Sequence, residues 1–340
     1  MPNLNLSALV ADIGGTNARF ALSQDGQIKA DSIEVLACND FDNLDHAVQH
    51  YLSNQLSNQL SNQLSNQLSN QLSNQQIDVD HACLAFACPV NTQQIKMTNN
   101  HWAFDKTEMK GTLKLQSFKV INDFTAQALA LPALPESSLL KVGGGEAVES
   151  ASKLIIGPGT GLGVAALKKV GDHWLPLPGE GGHAAFSPVS TLDSEILPIL
   201  QQKLGYVSWE SVLCGSGLEL LFEAHSILSG QPQALKNHEI TAQALNGEPL
   251  ARQTLQHFCE LLGRAASNAA LTTGAQGGVY IAGGIIPRFP DFFAQSDFRK
   301  SFEINDKMAG YLTAIPTSLV IHDNPGLTGA CEALNNPFIQ

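Results

Sequence analysis

Residues 12–19 read D-I-G-G-T-N-A-R, and this stretch decides the fold of the first part of the chain. An apolar run at residues 8–11 precedes the glycine pair, and a second apolar run at residues 20–22 follows it. This pattern predicts a β-hairpin rather than a strand followed by a helix. Glycine permits positive φ and leaves bare amides that a phosphate can approach, and Thr16 and Asn17 add side-chain donors. By itself such a stretch is also typical of an ordinary tight turn.

A second copy of the pattern shifts the interpretation towards phosphate binding. Residues 154–167 read L-I-I-G-P-G-T-G-L-G-V-A-A-L, again a glycine turn with one threonine between two apolar runs. Two such hairpins can hold a polyphosphate from both sides. Neither is a P-loop, because no Lys-Ser or Lys-Thr closes it. A dinucleotide-binding enzyme is the poorest hypothesis, because the residues after Gly163 are too few for a crossover helix.

Length and composition narrow the class of protein. A chain of 340 residues predicts two domains, and 44% apolar with 15% charged residues is typical of a globular protein. A net charge of −12 argues against nucleic acid or an anionic membrane surface as a partner. The first residues do not resemble a signal peptide, and the apolar stretch at 279–286 is too short to span a bilayer, so we expect a cytoplasmic protein. The six cysteines lack metal-ligand spacing and are expected to be reduced core thiols.

A polar pair follows a predicted strand in the first half of the chain. The run 118–121 predicts a strand, and residues 125–131 predict a helix, with Asn122 and Asp123 between them. Ligands of open α/β sheets bind at the carboxyl ends of strands, which favours a functional role for the pair. The alternative for Asp123 is a helix N-cap, and position alone does not decide between the two.

A low-complexity tract interrupts the first half. The tetrapeptide L-S-N-Q occurs six times without a break in residues 52–75, directly after a predicted amphipathic helix over 43–52. Either the tract extends that helix, which would remove the cost of nucleation, or it is a partly disordered insert, because Ser and Asn are poor helix formers. It carries no chemistry that we can name.

Three further features of the second half can present polar groups or bare backbone. The glycine-rich loop 177–183 contains Glu180 and His183 and is also compatible with a surface turn, while Glu210 alone would pass as an ordinary exposed acid. A predicted buried strand ends at Gly283 and Gly284, where a flat adenine or a ribose could lie against the backbone. The alternative for this glycine pair is a simple turn at the end of the strand.

Taken together, the motifs resemble bacterial ATP-dependent glucokinases outside the ROK group, a family of the actin-like ATPase superfamily that includes hexokinase, Hsp70 and actin. The likeness spans nearly the whole chain, and the L-S-N-Q tract is the main departure from it. The cysteine-rich zinc motif of ROK kinases has no counterpart in this sequence. The segments that carry it are D-I-G-G-T-N-A-R (12–19), A-C-P-V (87–90), M-T-N-N-H-W (97–102), I-N-D-F-T-A (121–126), G-P-G-T-G-L-G (157–163), L-P-G-E-G-G-H (177–183), V-S-W-E-S-V-L (207–213), G-G-V-Y-I-A-G-G-I-I-P-R-F (277–289) and H-D-N-P-G-L (322–327).

The resemblance implies an α/β protein with the two-lobed actin-like ATPase (RNase H-like) fold, in which mixed sheets are flanked by helices and the active site lies in the interdomain cleft. A small domain would comprise residues 1–133 and 322–340, with the L-S-N-Q insert at 52–75, and a large domain residues 134–321. The implied activity is transfer of the γ-phosphate of ATP to the 6-hydroxyl of D-glucose, with Mg²⁺ as cofactor, in a homodimer. The alternatives are a kinase for another hexose, or a non-catalytic actin-like ATP-binding protein.

The resemblance also assigns roles to individual residues. Asp123 would be the general base, and Asp12 would contact Mg²⁺ through water. The implied contacts to the nucleotide are Ala11, Asp12, Ile13, Gly14, Gly15, Thr16, Gly157, Gly159, Thr160, Gly161, Gly283 and Gly284. The implied contacts to the sugar are Asn122, Asp123, Glu180, His183 and Glu210, with Asn99 and Asn100 as fainter candidates.

Overall fold

A computed structural model describes residues 7–63 and 79–340, which form two compact units. Unit 1 comprises Met1–Leu134 and Asp323–Gln340, and unit 2 comprises Pro135–His322. Helix α1 (Leu44–Gln63) continues from the predicted amphipathic segment into the L-S-N-Q tract. Residues 64–75 of that tract lie outside the described part of the chain.

Unit 1 is built on one mixed sheet. Its strands are β1 (Ser7–Ile13), β2 (Asn17–Gln24), β3 (Gln27–Ile28), β4 (Glu34–Ala37), β5 (His81–Phe86), β6 (Gln94–Lys96), β7 (Ala103–Asp105) and β8 (Ser117–Asn122). Its helices are α1, α2 (Lys106–Thr112), α3 (Asp123–Ala130) and α12 (Pro325–Leu334). The sheet has the order β3-β2-β1-β5-β8, with β4 pairing β2, while β6 and β7 form a separate hairpin. The predicted hairpin is confirmed, because β1 and β2 pair antiparallel, and β1, β5 and β8 run parallel.

Unit 2 repeats this plan. Its strands are β9 (Leu139–Gly143), β10 (Lys153–Pro158), β11 (Leu162–Val170), β12 (His173–Gly179), β13 (Val279–Ile281) and β14 (Thr317–Val320). Its helices are α4 (Thr191–Leu204), α5 (Trp209–Val212), α6 (Gly215–Leu228), α7 (Asn237–Leu245), α8 (Pro249–Thr273), α9 (Pro290–Gln295), α10 (Phe298–Glu303) and α11 (Ala309–Ala314). The sheet order is β12-β11-β10-β13-β14-β9. In both units an antiparallel glycine hairpin therefore leads into parallel strands, which agrees with the predicted mixed sheets flanked by helices.

Local sequence signals explain the longest helix of unit 2. Helix α8 has Pro249 in its first turn, and the side chain of Glu248 accepts hydrogen bonds from the first free amides. Gly274 ends it in the left-handed region at φ 64°. Its apolar face, including Leu255 and Phe258, is buried in the core of the unit.

The core of unit 2 also holds a buried ion network that no sequence pattern indicated. Asp193, on α4, is fully buried, and its carboxylate accepts hydrogen bonds from Arg264 and from His257, both on α8. Burial raises the pKa of this carboxyl group, but the bonds from His257 and Arg264 outweigh burial and hold the pKa well below its usual range. The network ties α4 to α8.

All six cysteines are free and buried, as the sequence predicts.

Candidate active site

The carboxyl ends of three parallel strands of unit 1 form one edge of its sheet. In register, Ile13 of β1 faces Phe86 of β5, and Phe86 faces Asn122 of β8. Asp12 and Asp123 therefore lie at the same edge of the sheet, where α/β proteins bind their ligands. Ala11 and Ile13 are fully buried in the core, so only their backbone can contribute to a ligand site.

Helix α3 begins with a different capping residue from the one considered from the sequence. Asn122, not Asp123, is the N-cap: its Oδ1 accepts hydrogen bonds from the amides of Phe124 (2.9 Å) and Thr125 (3.3 Å). Asp123 is the first residue of the helix, so the alternative role considered for it from the sequence was wrong. Its Oδ1 accepts from Asn122 Nδ2 and from the amide of Phe124, both at 2.9 Å. These bonds fix the direction in which the carboxylate points.

The electrostatic environment of Asp123 is unusual for an aspartate. Burial and the nearby negative charge of Asp12 raise the pKa of Asp123 to about 7. Burial also raises the pKa of Asp12, while the cross-strand guanidinium of Arg19 opposes that shift. A carboxyl group with a pKa near neutrality has the proton affinity that a general base needs.

This environment makes the stability of the protein depend on pH. A carboxyl group whose pKa is higher in the folded than in the unfolded state reduces stability once the pH rises above the unfolded value of about 4, and the cost is complete above the folded value of about 7. We therefore expect Asp123→Asn to be more stable than the wild type by a margin that grows between pH 5 and pH 8, by on the order of 2 kcal/mol.

Melting temperatures of both proteins across this pH range measure the effect. Asp172→Asn, at an exposed position, serves as the control and should follow the wild type at every pH. A constant difference between wild type and Asp123→Asn from pH 5 to pH 8 would contradict the raised pKa.

The first glycine turn is closed by its own backbone and by a neighbouring loop. The amide of Gly14 donates to Asn17 O at 2.9 Å. A Cβ on Gly15 would lie 2.9 Å from both Cβ and O of Asn99, so only glycine fits there. Asn99 and Thr16 are exposed beside this turn.

Asn100, the second of the two asparagine candidates, has an internal role. Its Oδ1 accepts a hydrogen bond from the amide of Trp102 at 3.0 Å and so shapes the loop between β6 and β7. The fully buried indole of Trp102 anchors the same loop. Of the two, Asn99 is the more open to a ligand.

The second glycine turn lies against the end of β13. A Cβ on Gly157 would come within 2.5 Å of Ala282 C and 2.7 Å of Gly283 N, and Gly283 itself has φ +83°. The two backbones can approach this closely only because both residues are glycine. A Cβ on Gly284, by contrast, would meet nothing within 4 Å, and Thr160 at the tip is exposed. The backbone at Gly284 is therefore open to a ligand.

Unit 2 also brings together the three polar residues expected to bind the sugar. His183 lies between two carboxylates: its Nε2 is 3.8 Å from Glu180 Oε2, and its Nδ1 is 3.8 Å from Glu210 Oε1. Glu180 is the N-cap of a 3₁₀ turn after β12 and His183 is the last residue of that turn, whereas Glu210 comes from the first turn of α5. The side chains of Glu180 and His183 are 75% and 60% exposed, so they can reach a ligand.

Sequence reasoning missed two contacts of the predicted residues. Glu210 Oε2 accepts a hydrogen bond from the amide of Leu162, in the second glycine turn, at 2.8 Å. A Cβ on Gly326, in the first turn of α12, would lie 2.6 Å from the carboxyl carbon of Asp12. Gly326 lies in a quoted motif, but nothing in that motif indicates what it packs against.

The described part of the chain contains no cluster of three or more His, Cys, Asp or Glu side chains that could enclose a metal ion.

Comparison with known proteins identifies what the chain is similar to. A family model described as Glucokinase matches residues 9–337. The glucokinase of Hahella chejuensis is 46% identical over 98% of this chain and 98% of its own length. A crystal structure of glucokinase from an Antarctic psychrotroph superposes with a TM-score of 0.82 at 34% identity, covering 96% of this chain and 98% of that one. A ROK family glucokinase from Streptomyces griseus, solved with glucose and AMPPNP, shares only the fold, with a TM-score of 0.57 at 16% identity, covering 96% of this chain and 99% of that one.

Proposed function

The chain belongs to the glucokinase family, and we propose that Asp123 is the general base of its reaction, transfer of the γ-phosphate of ATP to the 6-hydroxyl of D-glucose. The observation that carries this assignment is a carboxylate at the sheet edge, oriented by Asn122, with a pKa raised to about 7. The predicted family and activity are confirmed by the comparisons; the roles of individual residues are our proposal.

In phosphoryl transfer the protein contributes mainly by aligning the reacting groups and stabilising charge, and less by forming a covalent intermediate. Phosphoryl transfer passes through a loose transition state, with the attacking and leaving oxygens in line. Asp123 accepts a hydrogen bond from the 6-hydroxyl and so orients the oxygen lone pair. As the bond from this oxygen to the γ-phosphorus forms and the bond to ADP breaks, the hydroxyl proton passes to Asp123. Oδ1 already accepts two hydrogen bonds, so we assign Oδ2 as the acceptor.

The remaining sugar hydroxyls need partners once they are taken out of water. We assign them to Asn122, Glu180, His183 and Glu210, with Asn99 as a further contact. Carboxylates accept hydrogen bonds from neutral hydroxyls more strongly than neutral groups do, which suits a polyhydroxylated substrate. The exposure of Glu180 and His183 supports this role.

The nucleotide is assigned to the glycine turns. Backbone amides of residues 11–16 and of Gly157, Gly159, Thr160 and Gly161 would face the phosphates, because bare amides in a turn attract anions. The open backbone at Gly284, next to Gly283, leaves room for the adenosine.

Magnesium fits this chain as a cofactor held with its substrate. Mg²⁺ keeps several waters and binds one or two carboxylates together with phosphates, rather than an all-protein cage. The negative charge of Asp12 raises the pKa of Asp123 through electrostatic repulsion, so a cation beside Asp12 would relieve the repulsion between the two carboxylates. Bound Mg²⁺ would neutralise charge on the β- and γ-phosphates.

One coupled assay for glucose 6-phosphate formation tests the proposed function. We expect phosphorylation that depends on both ATP and Mg²⁺, with kcat/KM for glucose above the values for mannose, fructose and glucosamine. Equal or higher values with another hexose would favour the alternative of a different hexose kinase. Absence of phosphorylation with all four sugars would contradict the proposal.

We also propose a homodimer, which the family resemblance implies, and a cytoplasmic location, which is the expectation from the sequence. Within residues 7–63 and 79–340, none of the helices combines the length and the apolar character that a membrane span needs. The molecular mass in solution tests the homodimer.

A further inference from the structure

Glu210 contacts two functional elements of unit 2 at once. One carboxylate oxygen, Oε2, accepts a hydrogen bond from the amide of Leu162, and the other, Oε1, lies 3.8 Å from His183 Nδ1. The helix that carries Glu210 is itself fixed, because the amide of Trp209 donates to Ala184 O at 2.9 Å. The carboxylate therefore joins the loop assigned to the sugar to the turn assigned to phosphate.

The shape of the second glycine turn depends on this carboxylate. A Cβ on Gly161 would overlap Glu210 Oε2 and lie 3.2 Å from its carboxyl carbon, so the carboxylate occupies the space of a side chain at position 161. The opposite side of the turn is held by backbone, since Gly159 O accepts from the amide of Gly215 at 2.9 Å. One side of the turn is thus fixed by a helix start and the other by a single side chain.

We propose that Glu210 is a positioning residue that couples the two substrates, so that glucose and the nucleotide each bind more tightly when the other is present. The inference rests on the proposed function. A sugar hydroxyl that donates to Glu210 holds the carboxylate in place, and the carboxylate in turn holds Leu162 and the phosphate turn. The first ligand to bind then bears the loss of conformational entropy that ordering the turn requires, and the second ligand does not. This gives positive coupling between the two ligands.

Calorimetry measures the coupling as a ratio, the Kd of glucose alone divided by its Kd with saturating Mg²⁺ and AMPPNP. For the wild type we expect a ratio of at least about 5. In Gly161→Ala, the new Cβ would displace the carboxylate from the amide of Leu162, and the ratio is expected to fall to within about twofold of 1. The matched control is Gly159→Ala, where a Cβ would only touch Gly284 N at 3.8 Å. It changes the same turn, and should keep the wild-type ratio even if the nucleotide binds more weakly.

A second pair of variants removes the donor instead of moving the acceptor. Leu162→Pro eliminates the amide hydrogen at the first residue of β11, where proline is tolerated, and Leu162→Ala removes the same side chain but keeps the amide. We expect the ratio to be lost in Leu162→Pro and kept in Leu162→Ala. If Gly161→Ala no longer binds glucose, the pair at position 162 decides the question.

Two results would overturn the inference. The first is a ratio of 1 measured for the wild type, and the second is a ratio for Leu162→Pro that equals the ratio of the wild type. If the wild type phosphorylates glucose but shows a ratio of 1, the coupling is wrong and the proposed function stands. If the wild type binds no glucose under any condition, both are wrong.

Discussion

Replacing Asp123 with asparagine is expected to lower kcat by about 10² to 10⁴, because general-base catalysis contributes roughly that factor and an amide cannot take the proton of the 6-hydroxyl. The substitution keeps the shape of the side chain and places an amide oxygen where the carboxylate Oδ1 lies, so the hydrogen bond from the amide of Phe124 can persist. Glucose binding should weaken by less than about tenfold, since one hydrogen bond is weakened rather than lost. Asp123→Ala should lose turnover equally.

The control for this experiment is Asp172→Asn, the same chemical change at an exposed position outside the site. It should leave kcat unchanged. If Asp123→Asn lost both kcat and melting temperature, the loss of activity would indicate misfolding. We expect the opposite for the melting temperature, because the substitution should increase stability. Activity and stability are therefore expected to change in opposite directions, as is typical of a buried charge kept for function.

Glu210→Ala is expected to lower kcat/KM for glucose by about 10² to 10³, the second largest effect. The substitution removes a charged acceptor from the sugar and leaves the amide of Leu162 without its partner. Hydrogen bonds to charged groups contribute about 1.5–3 kcal/mol each, and two of them account for a loss of this size.

Glu219→Ala is the matched control for Glu210→Ala. The side chain of Glu219 is 25% exposed, compared with 32% for Glu210, and it also accepts a hydrogen bond from a backbone amide, that of Asn237, at 3.1 Å. It should affect stability but keep kcat/KM for glucose within about twofold of the wild type. If the two variants lose kcat/KM equally, Glu210 is a structural residue rather than a sugar contact.

Local signals in the sequence were sufficient for much of the fold. The two glycine hairpins follow from apolar runs on either side of a glycine turn, and the bounds of α8 follow from Pro249 at its start and Gly274 after its end. Asn122 and Asp123 were expected at the end of β8, where the structure has them. Each of these features is determined by neighbours in the chain, so a single sequence reveals them.

Contacts between distant residues were not predictable in this way. Asparagine and aspartate both cap helices, so the sequence did not decide whether Asn122 or Asp123 caps α3. The bond between Glu210 and Leu162 joins residues 48 positions apart, and the approach of Gly326 to Asp12 joins the two ends of the chain. The partners of the buried Asp193, His257 and Arg264, lie 64 and 71 positions further along the chain. Only the folded topology brings such groups together.

The central claim is that the carboxylate at position 123 takes the proton of the sugar's 6-hydroxyl. A single-turnover measurement of glucose 6-phosphate formation by Asp123→Asn, with glucose and Mg²⁺·ATP saturating, tests it most directly because neither binding nor product release then limits the rate. We predict a rate lower than that of the wild type by a factor of about 10² to 10⁴. A rate equal to that of the wild type would contradict the account.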